Sequence, residues 1–143
     1  MPYRHAEDGP QSDATIEAWA GDLPGMLAGA WRAALEVMID DSDTLPETER
    51  IDIALDAEDE EILLYKLLGE LLFYKDAEGL LLKLDTPKVS RDDDGLHLRA
   101  TARGARIGAD TVGLGTDVKA VTFHQFRVEK SRSGWTCRVV LDT

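Results

Sequence analysis

Apolar and polar positions change their rhythm along this chain. Over residues 14–19, Ile16 and Ala18 alternate with Thr15, Glu17 and Trp19, the two-residue period of a strand with one buried face. From Leu23 the period lengthens. Leu23, Leu27, Ala30, Trp31, Ala34, Leu35 and Met38 recur every third or fourth position, which predicts a helix with one buried side. Asp22 stands where a cap is wanted, and Pro24 is tolerated in a first turn whose N–H groups have no helical partner. The polar cluster Asp40, Asp41, Ser42, Asp43 and Pro46 ends that pattern, and Ile51, Ile53 and Leu55 alternate again as a second strand. Residues 62–74 are apolar almost all round, broken by Lys66, Gly69 and Glu70, and predict a second, more deeply buried helix. Asp56 is a candidate cap for it, and Glu58, Asp59, Glu60 and Glu61 put negative charge at the positive end of the helix dipole. Lys75-Asp76-Ala77-Glu78 reads as the turn that follows, with Gly79 just beyond.

After residue 80 the period is two. Residues 80–89, 96–103, 118–128 and 135–141 are candidate strands, separated by Asp92-Asp93-Asp94-Gly95, a glycine-rich connection over 104–115, and Ser131-Arg132-Ser133-Gly134. The order is β-α-β-α-β-β-β-β. A strand-rich second half without regular βαβ alternation predicts an α+β, two-layer architecture, two helices packed on one face of a mainly antiparallel sheet.

Composition adds a size and a location. The chain has 143 residues, 43% hydrophobic and 31% charged, enough apolar material for one globular domain spanning residues 1–143. No run approaches the roughly 20 apolar residues of a membrane span. The opening residues carry no signal-like apolar stretch, so the expected location is the cytoplasm. The single cysteine, Cys137, excludes an internal disulfide and a paired-cysteine zinc site, and its place in an alternating strand is that of an inert core thiol.

Charge changes the picture more. The net charge is −12, and it is unevenly spread: residues 1–79 hold 20 acidic against 5 basic side chains, whereas residues 80–143 hold 8 against 11. An acidic surface repels a phosphate backbone, which disfavours generic nucleic-acid binding. The acidic half is either a solvated surface or a docking face for a basic partner.

Few motifs carry chemistry. Gly104, Gly108, Gly113 and Gly115 lack the Lys-Ser/Thr and the following helix of a phosphate loop, and His5, His97 and His124 show no metal-ligand spacing. Asp13 stands directly before the first strand and Asp142 ends the last, followed by the carboxylate of Thr143. If those strands are neighbours the oxygens converge, and such hard anionic donors suit Ca²⁺, Mg²⁺ or Mn²⁺ rather than zinc. On spacing alone the plainer reading, two surface aspartates at strand ends, is the stronger. In Lys119-Ala-Val-Thr-Phe-His124, alternation puts Thr122 and His124 on one face and Lys119, Val121 and Phe123 on the other. The bare pattern fits a functional cluster or a solvated edge strand equally.

The hexapeptide 119–124, the ending Trp135-Thr-Cys-Arg-Val-Val-Leu-Asp142-Thr, the segment Glu70-Leu-Leu-Phe-Tyr-Lys-Asp76-Ala-Glu78-Gly-Leu, and Asp13 before Ile-Glu-Ala-Trp together resemble the archease family, in the right order over nearly the whole chain. That resemblance implies a small acidic α+β protein that activates the RtcB-type RNA ligase of tRNA splicing and RNA repair, promoting its guanylylation and turnover, without being an enzyme itself. It further implies Asp13, Asp142 and Thr143 as ligands of a divalent cation, and Lys119, Thr122, His124, Asp76 and Glu78 as the neighbouring partner-facing cluster. RNA would be met only through the ligase. The sequence departs from the family twice: Pro10-Gln-Ser-Asp13 replaces a frequent His-Thr-Ala-Asp, and Lys75-Asp76 replaces a frequent His-Asp. Two other classes remain open at this point, a metal-dependent hydrolase using the Asp13 and Asp142 pair with His124 as acid or base, and an RNA-binding accessory protein using the basic half.

Overall fold

The computed structural model describes residues 3–6, 13–108 and 114–143. The chain order is β1 (Tyr3–Ala6), β2 (Asp13–Ala20), α1 (Leu23–Met38), β3 (Glu49–Ala57), α2 (Glu60–Glu78), β4 (Leu80–Leu84), β5 (Lys88–Asp92), β6 (Gly95–Arg106), β7 (Ala120–Ser131) and β8 (Gly134–Asp142), with a short 3-10 turn at Ser42–Thr44. The α+β class, the two helices and the antiparallel pairing are as the periodicity predicts. The pairings divide the strands into two sheets, β1-β2-β8-β7 and β3-β6-β4, with β5 also on β6.

Both helices join the sheets. Helix α1 packs on β2 and β8 of the first sheet and on β4 of the second, while α2 packs on β3 and β4 of the second sheet and on β7 of the first. Met26, Leu27, Trp31 and Leu35 of α1 and Leu63, Leu64, Leu67, Leu68 and Leu71 of α2 are buried in one core. Each such side chain contributes about 1.5–3 kcal/mol by leaving water. Trp31 also donates its indole N–H to the Leu82 carbonyl at 2.8 Å, so this large side chain is buried with its polar atom met.

Local chemistry explains where the elements differ from their sequence-based bounds. Asp22 caps α1 as expected, accepting from the Gly25 N–H at 2.9 Å. Asp59, not Asp56, caps α2, accepting from the Ile62 N–H at 2.9 Å, because Asp56 is still part of β3 opposite His97. Residues 75–78 are the last turn of α2 rather than a separate turn. Lys75 continues the buried stripe of Leu68, Leu71 and Leu72, and the helix closes only at Gly79, whose φ of 64° is left-handed and suits a residue without Cβ. The strand read over 80–89 is interrupted at Asp85-Thr86-Pro87, where proline has no N–H to give the ladder. Gly104 belongs to β6 and not to a connection: a Cβ there would stand 1.8 Å from the Leu81 carbonyl oxygen of β4. Gly113 lies outside the described residues.

Strand β1 has no apolar alternation to betray it. Its inward positions are Tyr3 and His5, held by polar contacts to α1: the Tyr3 hydroxyl donates to Glu36, and His5 Nε2 donates to the Ala33 carbonyl at 3.1 Å. Among the described residues no helix is long and apolar enough to cross a membrane.

Candidate functional site

The first and last long strands are neighbours, and their register is specific. Along β2 and β8, Asp13 lies directly opposite Asp142, Thr15 opposite Val140, and Glu17 opposite Arg138. Directly opposed residues project from the same face of a sheet. Two carboxylates in that relation repel unless a cation lies between or beside them.

Strand β7 completes the neighbourhood from the other side of β8. Ala120 is registered with Asp142, and the Lys119 N–H donates to the Asp142 carbonyl at 2.8 Å. Lys119 therefore precedes β7 instead of lying within it, and its side chain is exposed. Thr122 is half-buried and donates its hydroxyl to the Val140 carbonyl at 3.0 Å. The pairing then slips between Thr122 and Arg127, and Gln125 within the slip has φ 55°. This bulge overturns the simple alternation expected over 119–124, because its residues follow no two-residue face rule. Phe123 and His124 are both exposed.

Lys75 ties α2 to this region. Its Nζ donates to the Val118 carbonyl at 2.6 Å, to Asp117 Oδ1 at 2.7 Å and to Asp76 Oδ1 at 2.7 Å. Burial works against the charged ammonium, but the hydrogen bonds it donates to Asp117 and Asp76 outweigh it and its pKa is raised. The departure at residue 75 is thus a structural clamp that fixes the residue preceding Lys119. Asp76 reaches the cluster only through Lys75, and Glu78 lies at the end of α2, its carbonyl accepting from Arg106 at 2.8 Å. The other departure, Pro10-Gln-Ser, lies outside the described residues.

The donor set of this corner can be judged from the chain alone. Among the described residues no group of three Asp, Glu, His or Cys side chains gathers around a candidate cation position. A site here needs Thr143 and other oxygen donors in addition to Asp13 and Asp142. A further candidate donor, not read from the sequence, is Thr15: two residues along the same face from Asp13, it is 2% exposed, and its Oγ1 has no hydrogen-bond partner. A buried hydroxyl without a partner is an uncommon expense of free energy. All four groups are hard oxygens, so the residues fit Ca²⁺, Mg²⁺ or Mn²⁺. Alternation alone had marked Thr15 as an outward residue, and nothing in its own sequence context signals burial.

Elsewhere, a cavity of about 410 Å³ opens between α1, β4 and the 3-10 turn. Its cations are already paired, Arg32 with Asp43, Lys83 with Glu47 and Arg103 with Asp85. That pairing leaves little unmet chemistry there.

The α+β fold, two helices on antiparallel sheets, agrees with what known proteins show. The model of the Archease protein family (MTH1598/TM1083) matches residues 3–143. Protein archease of Methanothermobacter thermautotrophicus is 37% identical over 131 residues, covering 92% of each chain. That of Archaeoglobus fulgidus is 32% identical over 142 residues, covering 99% of each. The solution structure of Methanobacterium thermoautotrophicum protein 1598 superposes with a TM-score of 0.84 at 33% identity over 99% of both chains. The crystal structure of a Thermotoga maritima archease, described as a possible chaperone, shares the fold with a TM-score of 0.64 at 20% identity over 98% of this chain and all of that one. The chain belongs to the archease family.

Proposed function

We propose that this chain is a non-catalytic activator of an RtcB-type RNA ligase, acting in the cytoplasm to promote ligase guanylylation and turnover. Asp13, Asp142 and Thr143, with Thr15 beside them, are the proposed holders of a divalent cation. The observation that carries the reading is the pairing of Asp13 against Asp142 with the Lys119 N–H bonded to the Asp142 carbonyl. A cation bound there would offset the repulsion of the opposed carboxylates and tie the chain terminus to the strand ends.

The chain's own residues supply the rest. Lys119 is exposed, but its backbone is fixed on one side by Asp142 and on the other by the clamp of Lys75 on Val118. Its ammonium offers three donors and a full positive charge at a defined place, the form in which a lysine meets a phosphate. His124, within the bulge, is exposed as well. An activator works only by binding the reactive state of its target more tightly than the resting state, and a preorganised cation beside an acidic face provides contacts that can discriminate the two.

The test is single-turnover guanylylation of a cognate ligase with and without this chain. The wild type should accelerate it. Lys119→Ala should abolish the acceleration with stability changed by no more than about 0.5 kcal/mol, and Lys119→Arg should fail too if a tight phosphate-sized pocket receives the ammonium. Full activation by Lys119→Ala overturns the role of Lys119, and no acceleration by the wild type overturns the reading.

A further inference from the structure

The exposed side of α2 runs against the ordinary preference of a surface helix. Tyr65, Gly69, Phe73 and Asp76 follow one another along that side at helical spacing. Phe73 is 55% exposed and meets Tyr74 edge-on with ring centroids 5.2 Å apart. Phe123 of β7 is 59% exposed and lies flat on Tyr65, with ring centroids 4.5 Å apart and planes at 9°. Phe126 abuts Phe123 edge-on at 5.5 Å. The display of Phe123 goes with the β7 bulge, whose Gln125 is the one non-glycine residue at positive φ among those described. A side-chain-bearing residue in that region is strained, and strain of this kind concentrates where a surface is used.

Between the rings stands Gly69. Glycine weakens a helix interior relative to alanine, and here no contact among the described residues requires it, because a Cβ at this position would meet nothing within 4 Å. The result is a notch one turn from Tyr65 and one turn from Phe73. Lys66, on the same side, is drawn away, its Nζ bonded to the Asp56 carbonyl at 2.7 Å. The charge next to the notch is therefore a carboxylate: Glu70, adjacent to Gly69, is half-buried, while Asp76, exposed further along the same side, already pairs with Lys75. Burial raises the Glu70 pKa, and among the described residues no cation is paired with it.

We infer that the Gly69 notch, with the Phe73 ring on one side and the stacked Tyr65 and Phe123 rings on the other, is a docking site for an arginine-bearing surface of a protein partner. A guanidinium lies flat on an aromatic face while its fork bonds a carboxylate, and this patch offers both in one place. The same carboxylates repel a nucleic-acid backbone. They also oppose self-association, since a second copy of a chain of net charge −12 brings the same acidic face. Aromatic anchors in a polar border are the usual composition of an interface hot spot. An enzyme that holds RNA carries arginines on its RNA-facing surfaces, so the inference rests on the proposed activator role for the identity of the partner.

The experiment measures the affinity of a cognate ligase for the full chain and for Phe73→Ala, Phe123→Ala, Gly69→Ala and Gly69→Leu by calorimetry, with melting temperature and guanylylation recorded beside it. Phe73→Ala and Gly69→Leu should each weaken binding by tenfold or more. Gly69→Ala should melt higher than the wild type and yet bind less well, a combination that a merely structural glycine does not give. Unchanged affinity in Phe73→Ala and Gly69→Leu overturns the docking site. Wild-type binding that the variants weaken, without acceleration of guanylylation, overturns the activator reading and leaves the docking site supported. No binding of the ligase overturns both. Single-stranded RNA binding, or a dimer by sedimentation, that is lost in Phe73→Ala assigns the notch to another occupant and overturns the inference.

Discussion

An ammonium beneath a helix end is stable only when its donors are met, and Lys75 meets two carboxylates and a carbonyl there. Lys75→Met keeps much of the length and apolar stem but leaves the Val118 carbonyl without that donor. The expected loss is about 1–3 kcal/mol, read from urea or thermal melts, with reduced ligase activation because the residue before Lys119 is no longer fixed. A variant as stable and as active as the wild type would remove the clamp from the account. The opposed aspartates give a prediction of the other sign. In a chelator, Asp142→Asn should raise stability by about 0.2–1 kcal/mol by removing a like-charge pair across two strands. With saturating Ca²⁺ or Mn²⁺ the order should reverse, since only the wild type gains from the cation. Melts in both conditions decide it, and a variant that keeps its advantage in metal argues against the proposed ligands.

The elements show how a single polar residue can hold strands together. His97 on β6 lies between Asp56 of β3, with Nδ1 2.6 Å from the carboxylate, and Asp92 of β5, with Nε2 at 2.8 Å. The Asp56 hydrogen bond, then that of Asp92, raise the imidazole pKa from 6.5 to about 8. A folded-state pKa above the unfolded one means that the charged form is favoured by folding, so this clamp stabilises fully below pH 6.5 and is lost as pH rises through about 8. The wild type should lose melting temperature across that window, whereas His97→Gln should be flatter, and a direct proton titration of the imidazole locates the transition. Periodicity made both helices and the longer strands legible, because each buries one face and repeats accordingly. It could not show that β1 is a strand, since Tyr3 and His5 face inward through hydrogen bonds, nor which of Asp56 and Asp59 caps α2, since that depends on where β3 ends. The bulge in β7 was equally hidden, because a slip in pairing belongs to two strands and not to the sequence of one.

Across the whole molecule, charge is divided more sharply than composition suggests. The acidic residues of 1–79 include those of α2 and its approach, while the exposed lysine of the candidate site comes from the basic half. If the acidic half faces a basic partner, association should slow steeply as salt rises, because exposed charges are screened over about 8–10 Å near physiological ionic strength. Stopped-flow mixing with the ligase at a series of salt concentrations measures this, and a rate indifferent to salt would make the acidic half a solvated surface. The candidate site was partly legible at this scale: residues near opposite ends of the chain meet because β2 and β8 pair, as the position of Asp13 and Asp142 at the two strand ends allowed. The division into two sheets was not, because it depends on β6 spending both edges on β3 and on β4 with β5.

The lone thiol turns that pairing into a stopwatch. Cys137 sits in β8 between β2 and β7, registered with Ala18 and Val128, and burial pushes its pKa up to about 12. A closed sheet therefore presents neither access nor thiolate to an alkylating reagent, and labelling must wait for β8 to part from its neighbours. The rate of that labelling, followed by intact mass without any engineered probe, times the opening of the two strands whose ends carry Asp13 and Asp142. Calcium should lengthen the interval if it bridges them, and an interval that calcium leaves unchanged would mean that any bound ion does not join the strands.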